Sequence, residues 1–178
     1  MLAFGLRDGR HFVVSVEARL EKNEVYSTVN GMRNKFELMY VIGDERDLIP
    51  LRTRVRNVDC FLYPGKAAPA DVQRLFLDIV DRVNKIAKTP EFYNTVSNNC
   101  TTNLVDHVND IFPDRIPIWD WRLLLPGRSD RLAYELGLLD LPNQDFESIR
   151  SQYRINMQAN MYENDPLFST RIRIRPQN

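Results

Sequence analysis

Cys100 lies in the stretch Asn98-Asn99-Cys100-Thr101-Thr102-Asn103, a thiol surrounded by small polar residues that cap helices rather than pack cores. Asparagine and threonine favour the N-cap, and Leu104, Val105, Val108, Ile111 and Phe112 follow with helical spacing. A cysteine in a first helical turn feels the positive end of the helix dipole, which favours thiolate over thiol. Free backbone N–H groups there can also receive a developing oxyanion. Asn98, Asn99 and Thr101 are therefore the expected capping and oxyanion residues. The plainer alternative is a small apolar residue buried and inert at a helix start, the general tendency of free cysteine.

A thiol nucleophile needs an imidazole within hydrogen-bond reach to hold the thiolate and to protonate a leaving group. The chain has two histidines. His107 follows Cys100 by seven residues on the same helical face, but about 10.5 Å along the axis at 1.5 Å per residue, too far for an ion pair. It is expected as a surface or packing residue. His11 belongs to an expected strand and reaches the cysteine if the sheet packs there; the alternative is a half-buried strand histidine. Glu17 would lie roughly 20 Å along that strand and cannot orient the ring, which leaves Glu37 or Tyr40 as third members.

Other chemistries find little support. Two histidines and two cysteines show no metal-ligand spacing, and Asp44, Glu45 and Asp47 lack a calcium-loop pattern, so neither metal nor cofactor is expected. No phosphate-cradling glycine motif and no Gly-x-Ser-x-Gly elbow occurs. An enzyme built from this chain is expected to use cysteine.

Those residues need a scaffold. With 178 residues, 43% of them hydrophobic, one globular domain is expected, with a core over about residues 1–140 and a helical, basic extension over about 141–178. Twenty-four Lys+Arg balance 24 Asp+Glu, so no global field favours nucleic acid. Cys60 and Cys100 are too few for a disulfide scaffold. No run approaches the roughly 20 apolar residues of a membrane span, and the first residues lack a signal-peptide pattern. The chain opens inside an expected strand, so a leader or upstream segment is expected ahead of Met1.

The expected fold class is α+β, an antiparallel sheet packed against helices. Asp8-Gly9 predicts a two-residue type I′ hairpin turn, with Leu6 opposite His11 and Phe4 opposite Val13. His11, Val13, Ser15 and Glu17 then share one face, and Phe12, Val14 and Val16 line the other, expected as the main core. Further strands are expected over Phe36 to Ile42, Leu48 to Arg56 and Val58 to Tyr63, with Gly43 to Asp47 a charged turn. In the second of these Arg52, Arg54 and Arg56 would point one way, as a solvated face or an anion-binding strip. Pro69 to Lys88 reads as an amphipathic helix. Pro113 to Pro126 is expected to be irregular and pinned by Trp119 and Trp121, with helices over Ser129 to Leu136 and Gln144 to Ala159. The alternating Arg171 to Arg175 is an edge strand or a frayed tail.

Taken together, Phe4-Gly5, Asp8-Gly9-Arg10, Ser15 to Arg19, Tyr40 to Asp47, Leu51-Arg52-Thr53, Tyr93-Asn94-Thr95, Asn98 to Asn103 and Arg122 to Gly127 resemble the bacterial Lnb N-terminal periplasmic domain family. The likeness runs from Leu2 to about Leu139, and its specificity lies in the combination. The resemblance implies an envelope-associated domain with a papain-like, circularly permuted arrangement similar to NlpC/P60 and lecithin-retinol-acyltransferase-like enzymes. It also implies acyl transfer through a cysteine thioester, with Cys100 in the nucleophile position. Relatives carry a histidine just upstream of the position of Met1, so either His11 substitutes for it or the base belongs to a preceding segment. The expected partners are lipid-linked or peptide substrates and a membrane surface, with the Arg52, Arg54 and Arg56 strip available for anionic groups. A cell-wall peptidase or amidase is the nearest variant, and a non-catalytic scaffold is the alternative from another class.

Overall fold

A computed structural model describes residues 1–113, 115–124 and 127–175. The class is α+β. Strands β1 (Leu2–Gly5), β2 (His11–Arg19) and β3 (Glu37–Asp44) form a three-stranded antiparallel sheet with β2 in the centre. The short α1 (Thr28–Met32) lies between β2 and β3 in sequence. Then come α2 (Glu45–Pro50), α3 (Pro69–Lys88), α4 (Cys100–Ile111), α5 (Ser129–Glu135), α6 (Phe146–Arg150), α7 (Asn156–Met161) and α8 (Phe168–Arg171). The described chain divides into two compact units, each made of separated stretches. One holds Met1, Ser15–Val41 and Lys66–Leu138; the other holds Leu2–Val14, Ile42–Gly65 and Leu139–Asn178.

The first hairpin forms one register away from the expected one: Gly5 pairs with His11 and Phe4 with Phe12, whose rings stack at 5.2 Å. A type I′ turn needs positive φ at both central residues, and Asp8 does not adopt it. Instead, Gly9 alone is left-handed at φ +84°, Leu6 N–H bonds to the Arg10 carbonyl, and the Asp8 carboxylate accepts the Arg10 N–H at 3.1 Å. The result is a three-residue loop, in which the extra residue shifts each cross-strand pair by one. Burial also departs from a one-sided core, because Val13, Val14, Ser15 and Val16 are all buried and β2 is covered on both faces.

In the unit containing Cys100, Val16, Phe36, Leu38 and Tyr93 form one core cluster, with Tyr40, Ile86, Cys100 and Leu104 packed against it. A second cluster joins Val105, Ile116, Leu123 and Leu132. The amphipathic α3 matches its expected span, with Ile79 fully buried. Trp119 and Trp121 do not pin the following segment; they are 84% and 55% exposed, and Ile116 and Leu123 anchor it instead. A 3-10 turn, Trp121–Leu124, breaks its irregularity; Asp114, Leu125 and Pro126 of that expected segment lie outside the described residues.

The other unit corrects the expected strands over Leu48 to Tyr63. Asp44 caps α2 by accepting the Arg46 N–H at 2.9 Å, and Glu45 and Asp47 suit its positive end. Pro50 lacks the N–H that would continue the α-helical ladder, and a π-helical turn, Leu51–Val55, follows, with Arg56 N–H reaching back five residues to Leu51 O. Helical rotation removes the common face that Arg52, Arg54 and Arg56 would share in a strand, and Arg54 pairs with Glu163. The Val58 to Tyr63 stretch does not join the sheet and carries one isolated antiparallel bridge, Phe61 with Arg154. It exchanges Leu62 N–H to Tyr153 O and Ile155 N–H to Cys60 O, both at 2.9 Å.

The expected long helix over Gln144 to Ala159 is interrupted, α6 and α7 being separated by a 3-10 turn over Ser151–Tyr153. Arg171 to Arg175 is neither a strand nor a loose tail through its first residues. Ile172 is 2% exposed in a core with Ile49, Cys60, Ile155, Ala159 and Phe168, and Arg173 grips the fully buried Glu45 at 2.6 and 2.8 Å.

Candidate functional site

Cys100 is the first residue of α4, and the sequence before it explains why the helix begins there. The Asn99 backbone is extended, and its Oδ1 accepts the N–H groups of Thr101 at 2.7 Å and Thr102 at 2.9 Å. Thr102 Oγ1 accepts the Asn99 N–H at 2.8 Å, which completes a reciprocal capping box. Asn99 Nδ2 ties the cap to the Thr95 carbonyl at 2.8 Å. Asn98 donates to Phe92 O at 2.9 Å and accepts from Asn103 Nδ2 at 2.8 Å. Asn99 therefore caps, Asn98 braces the turn, and the Thr101 N–H expected for an oxyanion is occupied by the cap.

The thiol is partly exposed and uncrosslinked, with Sγ 3.9 Å from Thr101 Oγ1. It packs beside the cluster that holds Tyr93. Burial pushes the Tyr93 phenol up first, the nearby Cys100 thiol and Tyr26 add to that, and the Cys100 backbone N–H pulls the other way. The other thiol, Cys60, is buried in the second unit, and burial pushes it up.

Behind the cap runs a polar chain that sequence reasoning missed. His107 is 3% exposed, and its Nδ1 lies 2.5 Å from Asp78 Oδ2 of α3. Its Nε2 lies 2.8 Å from the Tyr40 hydroxyl of β3. That hydroxyl lies 3.1 Å from Asn103 Oδ1, and Asn103 Nδ2 donates to Asn98 Oδ1 and to the Asn99 carbonyl at 2.9 Å. Arg82 borders the chain, 3.5 Å from Asn103 Oδ1, and holds Glu91 with two bonds of 2.6 and 2.7 Å. Burial pushes Tyr40 up to about 12, against the opposing pull of Arg82.

His107 is thus a buried, doubly engaged ring, where the sequence pointed to a surface or packing role. Tyr40, one of the two residues offered as a third member beside His11, contacts His107. Glu37 is held by Arg19 at 2.6 Å, and Glu17 accepts from Ser15 at 2.5 Å. The signal for the chain was present in Asn103 and His107, which break the apolar rhythm of α4 with polar side chains; their partners come from α3 and β3 and no spacing rule links them.

His11 belongs to the other unit, at the end of the hairpin loop. Its Nδ1 lies 3.1 Å from the Gly9 carbonyl. With Asp8, Arg10, Asp44, Arg46 and Thr170 it lines a shallow polar pocket of about 230 Å³. Arg10 is matched there by Asp8 at 2.7 Å and Arg46 by Asp44 at 3.4 Å. Among the described residues no group of three or more His, Cys, Asp or Glu side chains is placed to hold a metal ion. No described helix is long and apolar enough to cross a membrane.

In comparison with known proteins, a family model described as the Lnb N-terminal periplasmic domain matches residues 1–127. No curated protein and no solved structure matches the chain.

Proposed function

We propose a thiol-dependent acyl-transfer function from one premise: this chain belongs to the Lnb N-terminal periplasmic domain family, matched over residues 1–127. The family's name fits a place in the cell envelope. The observation that carries the chemistry is the partly exposed Cys100 at the first position of a helix with a complete capping box. In this reading the Cys100 thiolate attacks the carbonyl carbon of a lipid-linked ester, a carbon–sulfur bond forms, and the ester's alkoxide leaves with a proton. An amine or water then attacks the thioester, takes the acyl group, and returns the thiol. The proton transfers call for an imidazole, and His11 is the candidate that the sequence offers.

A specific observation favours a second reading, a non-catalytic binding domain. The Thr101 and Thr102 N–H groups already bond to Asn99 Oδ1, so an incoming oxyanion would have to compete with the cap. Incubation with an activated acyl ester separates the two. An enzyme gains the mass of one acyl group on Cys100, removable by hydroxylamine and absent in Cys100→Ser. A protein that stays unmodified while correctly folded supports the binding domain.

A further inference from the structure

We propose that Asp78, His107, Tyr40 and Asn103 form a positioning chain through which the protonation state of a buried imidazole sets the hydrogen bonding of the turn that carries Cys100. The inference rests on the reading of Cys100 as the reactive residue; its geometry stands apart from it. A carboxylate only accepts, so the 2.5 Å approach of Asp78 Oδ2 places a proton on His107 Nδ1 in both states of the ring. The state of Nε2 is then the variable. The Tyr40 hydroxyl has one proton and faces two groups that can accept it, His107 Nε2 at 2.8 Å and Asn103 Oδ1 at 3.1 Å, while the Arg82 guanidinium beside it can only donate to its oxygen.

With a neutral ring, Nε2 is an acceptor and receives the hydrogen bond of the Tyr40 O–H. Asn103 Oδ1 is then left facing Arg82 Nη2 at 3.5 Å. With a charged ring, Nε2 donates to the Tyr40 oxygen, and the phenol O–H turns to donate to Asn103 Oδ1. The orientation of Asn103 is fixed by its other side, where Nδ2 meets two acceptors, Asn98 Oδ1 and the Asn99 carbonyl. Those two residues immediately precede Cys100. His107 and Asn103 are 3% and 2% exposed, so solvent does not take the place of a bond that changes partner.

The charged groups around the ring are few. Asp78 and Arg82 come from α3, the latter held by Glu91. Tyr40 comes from β3, and Asp106 and Asp110 lie on α4 itself. The 3-10 turn that also packs on α4 contributes Arg122, which is engaged by Asp120 and Glu135.

The test follows the wild-type protein by NMR across pH, reading the His107 ring nitrogens and the Asn103 and Asn98 side-chain amides. Amide shifts that move with the same midpoint as the ring are expected. Amides that stay still while the ring titrates overturn the proposal, as does a ring that keeps one state over the whole range in which the protein is folded. The second arm measures iodoacetamide alkylation of Cys100, mapped by peptide mass, in wild type, Tyr40→Phe and His107→Gln. Each variant is expected to change the rate by about tenfold, the effect of one misplaced buried hydrogen bond, and to abolish the pH step shared with the ring. Folded variants with the wild-type profile contradict it. A wild-type Cys100 that never reacts removes the acyl-transfer reading, while the NMR coupling is still judged on its own.

Discussion

His107 and His11 occupy opposite kinds of surroundings. The α4 ring is buried, with a carboxylate on one nitrogen and a phenol on the other. The hairpin ring stands at a polar pocket and meets a single backbone carbonyl through Nδ1. A buried ring with both nitrogens engaged contributes to stability and ties its own proton to those of its neighbours. A rim ring adds little to stability and is free to meet a ligand. The unit of His11 places its buried charge elsewhere, at Glu45, which the partly exposed Arg173 pairs.

That contrast can be broken at several points. Arg173→Ala leaves the fully buried Glu45 carboxylate without its partner and is expected to destabilise the fold by about 3–5 kcal/mol, read from the denaturant midpoint. An unchanged midpoint would show that this pair is not the polar anchor of its unit. His107→Ala removes a buried ring and takes one partner each from Asp78 and Tyr40, an expected loss of about 2–3 kcal/mol.

Alkaline pH sharpens the comparison. Burial raises the Tyr40 phenol from 10.0 to about 12, so its stabilisation is complete below the unfolded value and is lost as pH rises through that window. Thermal melts near pH 11 are expected to show a loss relative to pH 8 from which Tyr40→Phe removes a share of about 1 kcal/mol, the raised Tyr93 phenol keeping its own. His11→Ala is expected to shift the midpoint by less than about 0.5 kcal/mol, the usual range for a surface position. A larger shift would place His11 among the structural residues and dissolve the contrast.

The start of α4 was legible because its cap is local: Asn99 and Thr102 act on N–H groups within three residues. The span of α3 was legible for the same reason, its apolar positions repeating at helical spacing. Leu48 to Arg56 misled because Arg-x-Arg-x-Arg alternates like a strand, whereas Asp44 and Pro50 start and widen a helix there. The hairpin was foreseen but its register was not, since Asp8-Gly9 fits two turn types and the Asp8 bond to Arg10 N–H accompanies the longer one. The buried chain from Asp78 to Asn103 was hidden because its members come from three elements and meet only through tertiary packing.

The alkylation rate of Cys100 near pH 7, compared in one reaction with Cys60 and with an unstructured cysteine peptide, tests the central claim most directly. An activated thiol at the capped turn is expected to react about tenfold faster than the free peptide, and Cys60, buried and shifted up, far more slowly. A Cys100 that reacts no faster than the peptide would contradict the account.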